Sequence, residues 1–145
     1  MLIVVRRSVR PETANAVRRL AACLGTGLTV LYFPGADLAH YGLADTLAPA
    51  GAKAEFVAYV RAGALEEFTR VREVFDAAGA GAEDIEWMLG EGAPVAKVAA
   101  EVAAGGYTAV VLCGGAGRNA RRGGFTGGEV TALARRLACP LICLP

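Results

Sequence analysis

An apolar run that stops abruptly on glycine is the feature that most limits how this chain can fold. Ala109, Val110, Val111, Leu112 and Cys113 lead straight into Gly114 and Gly115 with no polar residue between. An apolar run without alternation suits a strand covered on both faces. Glycines at its end suit a tight turn in which backbone N–H groups approach an anion closely. Gly117 follows. Nine residues later Gly127, Gly128 and Glu129 open a segment in which Val130, Leu133, Ala134 and Leu137 mark one helical face. Leu141 to Leu144 is again continuously apolar. The order strand, glycine loop, helix, strand is that of an α/β crossover.

The rest of the chain repeats this grammar. Leu2 to Val5 is an apolar run ending at Arg6, Arg7 and Ser8. Pro11 opens a helix whose apolar positions, Ala14, Val17, Leu20, Ala21 and Leu24, run until Gly25 and Gly27. Leu28 to Phe33 predicts a second strand, closed by Pro34 and Gly35. Phe56, Val57, Val60, Ala64, Phe68, Val71 and Phe75 trace a helical stripe, weakened at Gly63 and ended by Gly79 and Gly81. Ile85 to Leu89 predicts a third strand, and Gly92-Ala93-Pro94 opens a helix carrying Val95, Val98, Ala99 and Val102 until Gly105-Gly106. Five strands alternating with four helices predict a parallel sheet with helices on both faces and right-handed crossovers. Ala36 to Gly51, which holds the only histidine, His40, has no readable period.

Length and composition fit this outline. A chain of 145 residues that is 54% hydrophobic and 20% charged is expected to form a single domain, 1–145, with a substantial core. A net charge of +1 gives no general attraction to nucleic acid or a membrane surface. No apolar run reaches the ~18 residues that cross a bilayer. The first apolar run precedes its arginines, the reverse of a signal peptide. Cys23, Cys113, Cys139 and Cys143 sit among apolar neighbours without metal-ligand spacing, so all four are expected as buried reduced thiols in a cytoplasmic protein.

The glycine stretch resembles the nucleotide-binding signature of the universal stress protein family: glycine, two residues, glycine, nine residues, glycine, then Ser or Thr. Gly114, Gly117 and Gly127 fall on its glycines, and the run continues as the family's does through Arg135-Arg136, Cys139-Pro140 and a closing apolar strand. Two positions depart: Gly128 stands where the hydroxyl belongs, and Arg6-Arg7 stand where the first strand usually ends in Asp-Gly. The resemblance implies a Rossmann-like three-layer α/β sandwich with strand order 3-2-1-4-5, so that the first and fourth strands end side by side where ligands bind. It also implies ATP, AMP or a related adenine nucleotide as cofactor, and a homodimer through the terminal strand, Leu141 to Leu144. Pro140 and Pro145 would keep that pairing short.

The candidate cofactor-binding set is therefore Gly114, Gly117, Arg118, Gly127, Gly128, Arg6, Arg7 and Phe33. If the first and fourth strands are neighbours, Arg6, Arg7 and Arg10 join Arg118, Arg121 and Arg122 at one mouth, and arginine's planar fork suits phosphate. Without the family's acid and hydroxyl, the site is biased toward the phosphate end of a ligand.

Other chemistry has little support. Gly115-Ala116-Gly117-Arg118-Asn119-Ala120 mimics a dinucleotide fingerprint but has no periodic helix after it, and no GKS or GKT exists. One histidine, one serine (Ser8) and four apolar-flanked cysteines are poor material for nucleophilic catalysis. No catalytic or metal-binding residue is expected. Trp87 and Tyr107 read as packing residues, and the carboxylates near Glu66 and Glu73 as a solvated face. Three functions follow in order: a small stress-associated nucleotide or anion sensor, a dimeric interaction module without a nucleotide, and a slow nucleotide hydrolase.

Overall fold

The computed structural model describes residues 1–34, 50–79, 85–114 and 124–145, with backbone alone for residues 50–57. Its elements are β1 (Leu2–Arg6), α1 (Pro11–Leu24), β2 (Leu28–Phe33), α2 (Ala50–Ala77), β3 (Ile85–Leu89), α3 (Pro94–Gly105), β4 (Val110–Cys113), α4 (Gly127–Arg136) and β5 (Leu141–Leu144). The strands form one parallel sheet in the order β3-β2-β1-β4-β5, as expected.

Central strands bury both faces, which is why β1 needs no alternation. Leu2, Ile3, Val4 and Val5 are all fully buried, and each such side chain contributes about 1.5–3 kcal/mol on leaving water. Their directions still alternate. Ile3 and Val5 join Val30, Tyr32, Val111 and Cys113 in a core closed by Ala14 and Val17 of α1 and by Val71 and Phe75 of α2. Leu2 and Val4 join Leu31, Phe33, Val110 and Leu112 in a second core closed by Val98 of α3 and Leu133 of α4. Two helices therefore lie on each face, the three-layer arrangement that the alternating series predicts.

Helix ends follow the sequence punctuation. Pro11 and Pro94 start α1 and α3, while Gly25 (φ 60°) and Gly106 (φ 61°) end them in the left-handed conformation that glycine adopts without strain. The longer α2 departs from expectation. It begins at Ala50 and runs through Gly63, where an added Cβ would meet nothing, so the glycine costs only its propensity, about 1 kcal/mol. Its 28 residues span about 42 Å, over twice the length of a typical strand. Among residues 58–77 its fully buried positions are Ala64, Val71 and Phe75, while Tyr59 and Leu65 are exposed.

The cysteine expectation needs correcting. All four are free, but only Cys113 is buried; Cys139 is half-buried and Cys23 and Cys143 are exposed. Cys23 lies off the buried stripe of α1, and Cys143 lies on the edge strand β5, so apolar neighbours in sequence did not bring burial.

Trp87 and Tyr107 do pack. Trp87 meets Phe68 and Phe75 edge-on, with ring centroids 5.7 Å away in both pairs. Tyr107 borders the second core.

Candidate functional site

The carboxyl ends of β1 and β4 lie side by side, with Val5 opposite Cys113, and the chain leaves them in opposite directions in sequence. This is the switch point of an open parallel sheet, where ligands of such folds bind. Beyond β1 the backbone turns sharply at Arg7, whose φ of 64° makes it the one non-glycine in the left-handed region among the described residues. Beyond β4, Gly114 takes φ 117°, which a side chain would strain.

The last residue of β1 and the left-handed turn after it send the two arginines to different sides of the sheet. Arg6 pairs in register with Phe33, on the face carrying Leu2 and Val4, and so meets α4. Its Nη1 donates to both carboxylate oxygens of Glu129, at 2.9 and 3.1 Å, and its guanidinium carbon lies 5.6 Å from the centroid of the fully buried Phe125 ring. The ion pair is partly shielded, with side-chain exposures of 29% and 22%.

Glu129 is held at the start of α4 by a reciprocal cap. Thr126 is the N-cap, and its Oγ1 accepts from the Glu129 N–H at 3.2 Å. In return a Glu129 carboxylate oxygen accepts from the Thr126 N–H at 2.7 Å and from its hydroxyl at 3.0 Å. A Thr-x-x-Glu spacing before an apolar helix is a legible signal for such a box. The sequence reading fixed on the glycines and passed over it.

Gly127 and Gly128 are the first two residues of α4, and both are exposed. Neither has a positive φ, and a Cβ would meet nothing at Gly127 and only the Thr126 hydroxyl, at 3.9 Å, at Gly128. The fold does not require glycine at either position. What glycine gives here is open access to two N–H groups at the positive end of a helix dipole.

Arg7 lies on the other side. It lines a cleft of about 260 Å³ with Ser8, Val9, Glu67, Arg70, Val71 and Val74, between the β1–α1 turn and α2. Its strained backbone is held twice: Arg7 N–H donates to the Phe33 carbonyl at 3.1 Å, and the Tyr32 hydroxyl lies 3.2 Å from the Arg7 carbonyl. The same hydroxyl is 2.9 Å from Glu67 Oε2. Burial, with the Glu67 carboxylate beside it, pushes the Tyr32 phenol well above its ordinary pKa.

Of the eight candidate cofactor residues, Gly114, Gly127, Gly128 and Arg6 stand at the β1/β4 mouth, with Phe33 opposite Arg6 on the next strand. Arg7 lines the neighbouring cleft instead, and Arg10 is exposed at the start of α1. Gly117 and Arg118, with Arg121 and Arg122, lie outside the described residues, as do His40 and residues 36–49. Sequence reasoning missed Phe125, Thr126 and the role of Glu129. No group of three or more potential metal ligands occurs among the described residues, and none of their helices is long and apolar enough to cross a membrane.

No protein-family model matches this sequence, and no curated protein is similar to it. Solved structures are. A universal stress protein in complex with cAMP superposes with a TM-score of 0.56 at 16% identity, over 99% of this chain and 95% of that one. One from Archaeoglobus fulgidus in complex with dAMP gives 0.58 at 16%, over 99% and 96%. UspA from Lactobacillus plantarum gives 0.61 at 14%, over 100% and 97%. At such identities the likeness establishes the fold, which is that of the universal stress proteins.

Proposed function

We propose that this chain is a stress-associated protein of the universal stress type that takes the phosphate end of an adenine nucleotide at the mouth formed by β1, β4 and the start of α4. The observation that carries this reading is the pair of exposed glycines, Gly127 and Gly128. They present backbone donors that the fold itself leaves unused, beside the Arg6 guanidinium and at the sheet's switch point. Two structures with the same fold hold cAMP and dAMP, which supports an adenine nucleotide as the ligand class. The protein acts as a homodimer in the cytoplasm. Strand β5 is a sheet edge whose outer backbone groups are free to pair with a second copy. Four unpaired cysteines suit a reducing compartment.

Calorimetric titration of AMP into the full chain tests the ligand. Micromolar to low-millimolar binding that Gly127→Val weakens supports the site, and no heat at millimolar AMP refutes it. A monomer mass at micromolar concentration would dispose of the dimer.

One observation favours the second reading, a dimeric interaction module without a nucleotide. The Glu129 carboxylate already occupies Arg6 and the Thr126 N–H. A dimer that binds no AMP would select it.

A further inference from the structure

We infer that β5 pairs antiparallel with a second copy of itself about a two-fold axis at Ile142, through four backbone hydrogen bonds made by Leu141 and Cys143 alone. The inference rests on the homodimer reading above and fixes its register. The parity of the β4–β5 ladder decides which groups face outward. The Val110 N–H donates to the Pro140 carbonyl at 2.9 Å, with Val110 opposite Leu141 and Leu112 opposite Cys143. In a parallel ladder of that register the N–H and C=O of Ile142 and the N–H of Leu144 also face β4. The other side of β4 agrees, because the Ala109 carbonyl accepts from the Leu2 N–H of β1 at 3.0 Å. Leu141 and Cys143 therefore turn their N–H and C=O groups outward, where none has a partner among the described residues.

Both ends of this edge are closed. Pro140 lies before it. The next outward position, Pro145, has no N–H, and its carbonyl accepts from the Thr13 hydroxyl at 2.7 Å. What is left is two donors and two acceptors, symmetric about Ile142. A longer strand gains nothing further here, whereas a two-fold copy satisfies every group by setting Leu141 against the partner's Cys143 and Cys143 against the partner's Leu141. An axis at Leu141 or at Cys143 would leave half of these groups unpaired. The side chains suit the same register. Leu141 and Ile142 are half-buried and Cys143 is exposed, so the copy covers apolar surface on both faces of the edge.

Native mass spectrometry of the full chain at micromolar concentration, with two variants, tests the register. Cys143→Pro removes one outward N–H and leaves every β4–β5 bond in place, so it should turn the dimer into a monomer with an unchanged far-UV spectrum. In a chain carrying Cys23→Ser and Cys143→Ser, Ile142→Cys should give a covalent dimer on oxidation with diamide. Residues opposite each other in a non-hydrogen-bonded pair lie about 4.5 Å apart between Cα atoms, within reach of a disulfide. Wild-type Cys143 should not cross-link to its copy, from which this register separates it by roughly 9 Å. A folded Cys143→Pro chain that stays dimeric would overturn the register and leave the homodimer standing, as would a dimer that Ile142→Cys fails to cross-link. A wild-type monomer removes both. If Cys143→Pro does not fold, the cross-linking result decides alone.

Discussion

Arg6 and Arg7 are consecutive, equally charged and at the end of the same strand, yet the structure gives them unlike surroundings. Arg6 closes a network that joins β1 to α4 across 123 residues of sequence, over a buried aromatic ring. Arg7 turns to the opposite face, into a cleft beside α2, with its backbone forced into a strained conformation. The difference arises where β1 ends: Arg6 is its last residue and keeps the strand's alternation, whereas Arg7 lies one residue past it in a left-handed turn. A period of two places neighbours on opposite faces, and each face of this sheet is covered by its own pair of helices. At Arg6 the backbone is regular strand; at Arg7 it is a left-handed turn held by the Phe33 carbonyl and the Tyr32 hydroxyl.

The largest way to break the contrast is Phe125→Ala. Removing a fully buried ring should cost about 3–5 kcal/mol and lower the melting temperature by roughly 10 °C. Amide exchange should accelerate at α4 and leave residues 7–9 unchanged; equal acceleration on both sides would mean that they are one unit. Next is Tyr32→Phe, which keeps the packing but strips the hydroxyl from the Arg7 carbonyl and Glu67, at a cost of about 1–3 kcal/mol in urea unfolding.

The same tyrosine has a pH signature. Its native pKa is raised, so its contribution is complete below the unfolded phenol value of about 10 and is lost as pH rises above that toward the native value. Stability of the wild type should therefore fall more steeply than that of Tyr32→Phe above about pH 10.

A double-mutant cycle of Arg6→Gln with Glu129→Gln should return a coupling of only about 1 kcal/mol, because the pair is a quarter exposed, and it should shrink in concentrated salt. The smallest effect belongs to Arg7→Gly, within about 0.5 kcal/mol of neutral, because relief of the left-handed strain is set against glycine's entropy cost and the loss of the side chain's own interactions. The equivalent Arg6→Gly should destabilise.

Much of the framework was legible from punctuation alone. Leu28–Phe33 and Ile85–Leu89 are strands with the expected bounds, because each is a mostly apolar run closed by a turn residue, Pro34 after the first and Gly90 after the second. The strand order was legible through the family resemblance. What was not legible depended on faces and distance. Reading Arg6 and Arg7 as one basic cluster ignored the strand end and the turn that separate them. The partner of Arg6 lies 123 residues away, and only the folded crossover brings it near. Glu129 opens the apolar segment in the sequence, but its role depends on Thr126, three residues before it. The cysteines were misjudged because burial depends on which side of a helix, or which edge of a sheet, a residue occupies, and composition carries neither.

The strand order also has a consequence for how the chain is made. β1 precedes β2 and β4 in the chain, and β2 can cover one of its edges once Phe33 has been made. Its other edge waits for β4, which is complete only at residue 113. Until β4 emerges, the centre of the future sheet therefore exposes a row of unpaired backbone groups flanked by four aliphatic side chains, a surface that invites chaperones and other nascent chains. The residues that make the finished core so secure are, for that interval, the ones most in need of protection.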